Sequence, residues 1–368
     1  MPRRRILGVT GSRAEFGLLE PVFRAMNASA DLELLVAVAG AHLLPPTRTR
    51  DEVAASFPIA AEIAMQQCGR TTRHDDAVAY GHGALGFART IDALRPDAVL
   101  VLGDRIEAFA AASAAAIAGV RVIHLHGGDR AEGVADESMR HATSKLAHLH
   151  CVATEASAER LRRMGEDDAR IHVVGSPALD GLDAIVPLDD ATFAALGRPE
   201  ILVLLHPTGR DDATEERCAA AVFSACASRG RILLAHPNAD PGSGGVMRAI
   251  SASGLPVVAH LPRRTFVGLL RRIGLLAGNS SAGLIEAAAL GVRVLNLGTR
   301  QNGRERASNV VDEPSFASDA LLASVDRALK MPTPRGHPFG DGQAGVRIAR
   351  LVSGGQLLTC LITKRNSY

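Results

Sequence analysis

Short apolar runs of strand length recur along the whole chain, and most are separated by helical patterns rich in Ala. In the first half they are Ile6–Thr10, Leu34–Val38, Ala98–Leu102, Val120–Leu125 and Cys151–Ala153. In the second half they are Ile201–Leu205, Ile232–Ala235, Val257–His260, Ile273–Ala277 and Val292–Leu297. Solid apolar runs, as opposed to alternating ones, belong to strands covered on both faces, which means parallel sheets wound with helices. The expected fold class is therefore α/β, with two Rossmann-like domains. A length of 368 residues exceeds a typical single core, which agrees. Helical patterns fall over Glu15–Met26, Thr214–Ala227, Thr265–Arg272, Leu284–Leu290 and Ala344–Leu351. The change from one domain to the next is set at 185/186, with the last helix expected to lie back on the first domain. Residues 41–75 carry Pro45-Pro46 and several charges, and read as a mobile loop near a site. The cleft between the domains is the expected place for a ligand.

Composition removes several function classes. Net charge is +2 and aromatics make up 3% with no Trp, so neither a basic field nor a stacking surface argues for nucleic acid. No apolar run approaches the ~20 residues of a membrane span, and Ile6–Val9 behind Arg3-Arg4-Arg5 is too short for a signal-peptide core. Five scattered cysteines without a CxxC pair suggest neither zinc nor disulfides, and point to reducing cytoplasm.

Polar residues stand where the apolar runs end, the edge at which parallel α/β sheets bind ligands. Arg13 follows the first run. Gly103-Asp104-Arg105 follows the third, and an Asp–Arg ion pair explains it as readily as a site does. His124-Leu-His126-Gly-Gly-Asp129 runs on into Glu132, Asp136, Glu137 and Arg140, a supply of acid/base groups. Two His one residue apart on a strand point to opposite faces, so at most one meets a given ligand. His206-Pro-Thr208 and His236-Pro-Asn238-Ala-Asp240 end runs of the second half. The stretch Gly278-Asn-Ser280-Ser281-Ala-Gly283-Leu-Ile-Glu286 reads strand, small-residue turn, helix, an arrangement that aims N–H groups and a helix dipole at an anion. Glu286 lies within reach of a sugar hydroxyl, and Arg300 is a cation at the end of the next run. No standard metal-ligand spacing occurs.

Taken in order, these stretches resemble the hydrolysing UDP-N-acetylglucosamine 2-epimerases, which supply N-acetylmannosamine for sialic and related nonulosonic acids. The stretches that carry the resemblance are Thr10-Gly-Ser-Arg13-Ala-Glu, Leu102-Gly-Asp104-Arg105, His124-Leu-His-Gly-Gly128, Asp136-Glu-Ser-Met-Arg140-His-Ala-Thr-Ser-Lys145-Leu-Ala-His148, His206-Pro-Thr208, Pro237-Asn-Ala-Asp240-Pro-Gly-Ser243 and Gly278 through Glu305. The resemblance implies the glycosyltransferase B arrangement, two Rossmann-like domains facing across a cleft. It implies loss of UDP from the anomeric carbon with removal of the C2 proton, then hydration of the 2-acetamidoglucal. By position, Asp104 and Asp136 match members of the acid/base set. Arg13, His206, Ser280 and Ser281 match diphosphate contacts, and His206 also counts among the candidates for the chemistry. Glu286 matches the acid that holds the ribose, and Arg105, Arg140, Asn238 and Arg300 match sugar or phosphate contacts. A nucleotide sugar is the implied partner, with no metal or nicotinamide cofactor and a homodimer or homotetramer as the usual assembly. The chain departs from the pattern at His126, where such epimerases often carry Glu. The nearest acid is Asp129, and the loop before Asp136 is one residue longer than in the animal enzymes, which leaves His126 and Asp129 as alternatives for that role. Substrates based on GDP or on 2,4-diacetamido sugars, a non-hydrolysing epimerase and a glycosyltransferase on the same fold stay open at this point.

Overall fold

A computed structural model describes residues 2–45, 48–69, 72–132, 136–237, 242–333, 336–355, 357 and 362–364, with only the backbone of Asp136. The chain divides into two compact units. The first takes Met1–Asp129, Ala135–Asp180 and Phe339–Tyr368, and the second takes Arg130–Val134 and Gly181–Pro338.

The sheet of the first unit contains β1 (Arg4–Thr10), β2 (Leu32–Ala39), β3 (Ile59–Ile63), β4 (Ala98–Leu102), β5 (Arg121–Leu125), β6 (Leu149–Val152) and β7 (Ile171–Val173). The strands are parallel, in the order β3-β2-β1-β4-β5-β6-β7. Alternate side chains feed two cores, as strand geometry requires. Ile6, Val36, Val38, Leu100 and Ile123 meet Leu19 and Phe23 of the helix Arg13–Asn27 on one face. Leu7, Val9, Val99, Val101 and Val122 meet Phe87, Ile91 and the Ala-rich helix Ile106–Ile117 on the other.

The second sheet contains β8 (Ile201–Leu204), β9 (Ile232–Ala235), β10 (Val257–Val258), β11 (Leu275–Gly278), β12 (Arg293–Leu297) and β13 (Val310–Glu313). It too is parallel, in the order β10-β9-β8-β11-β12-β13. Both sheets thus run outward from a central strand in one direction and then start again on its other side. The reversals lie between β1 and β4 and between β8 and β11. Helices leave opposite faces there, which opens a crevice at the carboxyl ends of the strands.

Three expectations need amendment. Residues 41–75 are not simply a loop: the helix Arg50–Ser56 and edge strand β3 lie there, paired with Val36–Ala39 of β2. The helix expected over 284–290 is two turns, Ser281–Leu284 and Glu286–Ala289. They are broken at Ile285 (φ −102°, ψ −72°), a buried β-branched residue off helical values. The change-over set at 185/186 falls after Asp180. Asp180 stays with the first unit because its carboxylate accepts the Ala344 and Gly345 N–H groups (3.0 and 2.6 Å) that open the helix Ala344–Ser353. Arg4 donates to carbonyls at the other end of that helix, Val352 (2.7 Å) and Gly354 (2.6 Å), and Ile348 and Val352 enter the first core.

Candidate active site

At the first reversal β1 runs into Gly11-Ser12-Arg13 and β4 into Gly103-Asp104-Arg105. Asp104 is partly exposed, with 24% of its side chain accessible. It forms an ion pair with Arg140, whose side chain is 1% accessible. Arg140 also donates to Glu137 Oε2 (2.5 Å) and to the Asp129 carbonyl (3.1 Å). Arg140 is therefore a buried holder of carboxylates, placed to fix Asp104, and the expected sugar or phosphate contact from it gives way to that position. A charge taken this far from water persists only with such partners. Arg105 donates to Glu107 (3.3 Å), which is fully buried. Arg13 is half-buried and makes no hydrogen bond or ion pair among the described residues; burial lowers its pKa, against Glu52, which raises it. Asp136 opens the helix Asp136–Leu146, and its side chain lies outside the described residues.

The two histidines after β4's neighbour do not behave as a strand pair. His124 lies inside β5, fully buried. Its Nε2–H donates to the Gly103 carbonyl (2.8 Å) and its Nδ1 accepts from Ser144 (3.1 Å). Burial pushes its pKa down to about 3, so it stays neutral. His126 lies past the strand end in the left-handed region (φ 60°), a strained place for a side chain of this size. Its Nδ1–H donates to Asp129 Oδ2 (2.8 Å), which leaves Nε2 to accept from the Ser176 hydroxyl (3.2 Å). Asp129 is 3% exposed, and its other oxygen accepts from Ser157 (2.8 Å). Both Asp129 oxygens are thus engaged, and the group is set to orient His126.

At the second reversal β8 runs into His206-Pro207-Thr208 and β11 into Gly278-Asn279-Ser280. Gly278 has φ 148°, and a Cβ there would run into the Leu204 carbonyl, so only Gly fits. Asn279 pairs with the backbone of His206: its Oδ1 accepts the His206 N–H (2.7 Å) and its Nδ2 donates to the His206 carbonyl (2.8 Å). Its own carbonyl accepts from Arg300 (3.2 Å) and from Gln301 (2.9 Å). His206, Ser280 and Arg300 are brought together around this one residue, whose side chain holds His206 and whose backbone carbonyl holds Arg300. Ser280 caps the short turn by accepting from the Ala282 N–H (3.4 Å), and Ser281 beside it is half-buried. Glu286 lies 3.8 Å from Arg263 and is 8% exposed. Four helical residues build no macrodipole to speak of, so attraction for an anion here rests on hydroxyls, N–H groups and Arg300. Asn238 lies outside the described residues.

Sequence reasoning gave no role to Asn279 or Glu215, and took Glu137 as one acid/base group in a run of acids without its hold on Arg140. Glu137 was marked by a cation at i+3 and a histidine at i+4 on one helix, Arg140 and His141. Glu215, fully buried, accepts from the Thr208 N–H (2.7 Å) and from Arg210 (2.9 Å) and so pins the loop after β8. No local pattern announces Glu215 or Asn279. Among the described residues no group of three His, Cys, Asp or Glu is arranged to hold a metal, and no helix is long and apolar enough to cross a membrane.

Two parallel sheets of the Rossmann strand order, each with its polar loops gathered at the reversal, define a protein of the glycosyltransferase B type with two Rossmann-like domains. The profile of the UDP-N-acetylglucosamine 2-epimerase family matches residues 24–353, and the chain belongs to that family. It is 36% identical to the UDP-N,N'-diacetylbacillosamine 2-epimerase (hydrolyzing) of Legionella pneumophila, over 99% of this chain and all of the relative. It is 31% identical to a UDP-N-acetylglucosamine 2-epimerase of Neisseria meningitidis, over 89% and 88%. The fold matches that of the Methanocaldococcus jannaschii UDP-GlcNAc 2-epimerase solved with UDP-GlcNAc and UDP, with a TM-score of 0.81, 18% identity and coverage of 95% and 99%.

Proposed function

We propose that this protein is a hydrolysing 2-epimerase acting on a UDP-activated 2-acetamido sugar, with UDP-N,N'-diacetylbacillosamine as the substrate. The supporting observation within the site is Asp104, a carboxylate held at the first reversal by an arginine that is itself buried. A base at this position must stay aimed at one face of one carbon, and an ion pair beneath it supplies that aim. In the reaction a base takes the C2 proton, the C1–O bond breaks and UDP leaves with the bonding pair, giving a 2-acetamidoglucal. Water then adds its hydroxyl to C1, and a proton returns to C2 from the opposite face. The products are UDP and the 2-epimer of the free sugar.

Asp104 and Asp136 serve as acid/base groups on this reading. His126 takes the remaining proton-transfer role, oriented by Asp129 through its Nδ1–H, with Nε2, which accepts from the Ser176 hydroxyl, as the nitrogen that takes the proton. Arg13, Arg105, His206, Ser280, Ser281 and Arg300 meet the diphosphate and sugar, and Asn238 joins them. Glu286 accepts from the ribose hydroxyls. No cofactor takes part, and the working assembly is a homodimer or homotetramer, which analytical ultracentrifugation would establish.

The Legionella relative, similar over the full length, favours the diacetamido substrate. The Neisseria relative favours a second reading, UDP-N-acetylglucosamine giving N-acetylmannosamine and UDP. Proton NMR of both nucleotide sugars incubated in deuterated water separates the two. Free UDP without any added acceptor, with deuterium at C2 of the released sugar, is the expected result for one of them. UDP released only when an acceptor sugar is present would instead mark a glycosyltransferase, and interconversion without free UDP a non-hydrolysing epimerase.

A further inference from the structure

Behind the Asp104–Arg105 loop two carboxyl side chains are buried on the same glycine. Glu15, 5% exposed, accepts the Gly11 N–H on Oε2 (2.6 Å). Glu107, fully buried, lies across the α-carbon of Gly11, where a Cβ would come 2.6 Å from its Cβ and Cγ. Gly40, at the end of β2, leaves room for the same side chain from the other side. Glu107 has both oxygens engaged, Oε1 by the Gln66 amide (2.8 Å) and Oε2 by Arg105 (3.3 Å). Glu15 differs: its Oε1 is buried with no hydrogen-bond partner among the described residues. Two carboxylates beside one guanidinium would leave an uncompensated negative charge away from water, which is strongly disfavoured. A carboxylic acid at Glu15, carrying its proton on the free oxygen, removes that charge. Burial first, and the Glu107 carboxylate second, push the Glu15 pKa up to about 8.

We propose that Glu107 is a positioning residue that aims the Arg105 guanidinium at the anionic part of the substrate, and that Glu15 serves it as an uncharged acid, so that two buried carboxyls offer Arg105 a single negative charge. The inference rests on the epimerase reading for the identity of the anion. Among the other described groups near the pair, none changes charge together with Glu15. His42, fully buried between the Thr10 and Thr49 hydroxyls (2.9 and 2.7 Å), is held down at about 4 by burial, then by Arg105 and Arg13, and is neutral. Gln66 is uncharged, and Arg13 is a second cation at the same edge. When Glu15 ionises, the set of Glu15, Glu107 and Arg105 passes from neutral to one net negative charge, and its attraction for a phosphate falls.

The test uses the full chain, its Glu15→Gln and Glu107→Gln variants, and UDP as the probe. Without ligand, thermal unfolding is followed from pH 5 to 9. Glu15 is raised above its ordinary 4.5, so its contribution to stability is whole below 4.5 and is lost as pH climbs to about 8. The Tm of Glu15→Gln should therefore pull ahead of wild type progressively up to that pH. Calorimetric titration with UDP over the same range should show wild type losing affinity above pH 8 relative to Glu15→Gln. Glu107→Gln should bind UDP about tenfold more weakly throughout, the scale of one lost charge-assisted bond. Parallel Tm profiles for wild type and Glu15→Gln would overturn the pair whatever the substrate. A widening Tm gap with UDP affinity unmoved in Glu107→Gln would overturn the positioning role and leave the epimerase reading standing. A wild type that binds no UDP would sink that reading and this role with it.

Discussion

The two strand-order reversals share a topology and differ in what holds their leading residues. At the first, charge is packed inward: Arg140 sits 1% exposed beneath Asp104, and Glu107 lies fully buried behind Arg105. At the second, an amide holds the backbone of His206, with Asn279 doubling the hydrogen bonds of a strand, and the pair of the buried Glu215 with Arg210 pins the loop that follows. Buried ion pairs are costly and contribute little net stability, so the pair beneath Asp104 is better explained by fixing that carboxylate than by stability. An amide paired to backbone is cheap and shapes a loop without adding charge, which suits a surface whose task is to receive one. The strand order says where a ligand goes, and on the epimerase reading the carboxylate held at the first reversal is the group that moves protons.

The sharpest way to break this contrast is Asp104→Asn. If the first reversal does chemistry and the second does binding, turnover should fall about a thousandfold while UDP affinity stays within about twofold. Steady-state UDP release and calorimetry read the two separately, and loss of both together would make Asp104 a structural partner of Arg140.

Acid separates the units next. His42 and His124 are fully buried and held down at about 4 and about 3. Their depressed values give stability that is present above the ordinary 6.5 and lost as pH falls toward the folded-state values. At pH 5 each should cost the first unit about 2 kcal/mol relative to pH 8. His148, His150 and His172 are shifted the same way, and in the second unit so is His337. Hydrogen exchange corrected for intrinsic rate should show β1, β4 and β5 losing protection before β8 and β11. Equal losses would mean that buried histidines do not distinguish the two.

Much of this was open to reading from the residues, and the exceptions have a common cause. β4, written Ala-Val-Leu-Val-Leu, is covered on both faces and therefore apolar throughout, so its run stands out. β3, β7 and β13 lie at sheet edges, where half the residues face solvent, and Ile-Ala-Ala-Glu-Ile or Val-Val-Asp-Glu carries no such run. The glycine-bearing loops at both reversals were legible because close backbone approach leaves few other residues. What holds those loops was not: Arg140 is 36 positions from Asp104, and Asn279 is 73 from His206. Spacing carries no information about pairs that only folding brings together. The strained His126 was read as part of β5 because a strand's alternation continues in sequence after its hydrogen bonds have stopped.

Two adjacent residues give the finest test of the second reversal. Asn279→Ala removes both bonds to His206 and leaves a buried N–H and C=O unpaired, so unfolding of the second unit should become easier by about 2–4 kcal/mol. Ser280→Ala removes only the 3.4 Å cap of a single turn, a weak bond whose loss should lower stability by less than ~1 kcal/mol. If Ser280 meets the diphosphate, its change should nevertheless weaken UDP binding by about 1–2 kcal/mol, because a hydroxyl bonded to a charged oxygen outweighs one bonded to an amide. The decisive quantity is the ratio of the two effects within each variant. Asn279→Ala should lose more stability than affinity once binding is measured well below its melting range, and Ser280→Ala should lose more affinity than stability. The same ratio in both would reduce Ser280 to a helix cap, and the anion would then fall to the other groups proposed for it, Arg13, Arg105, His206 and Arg300.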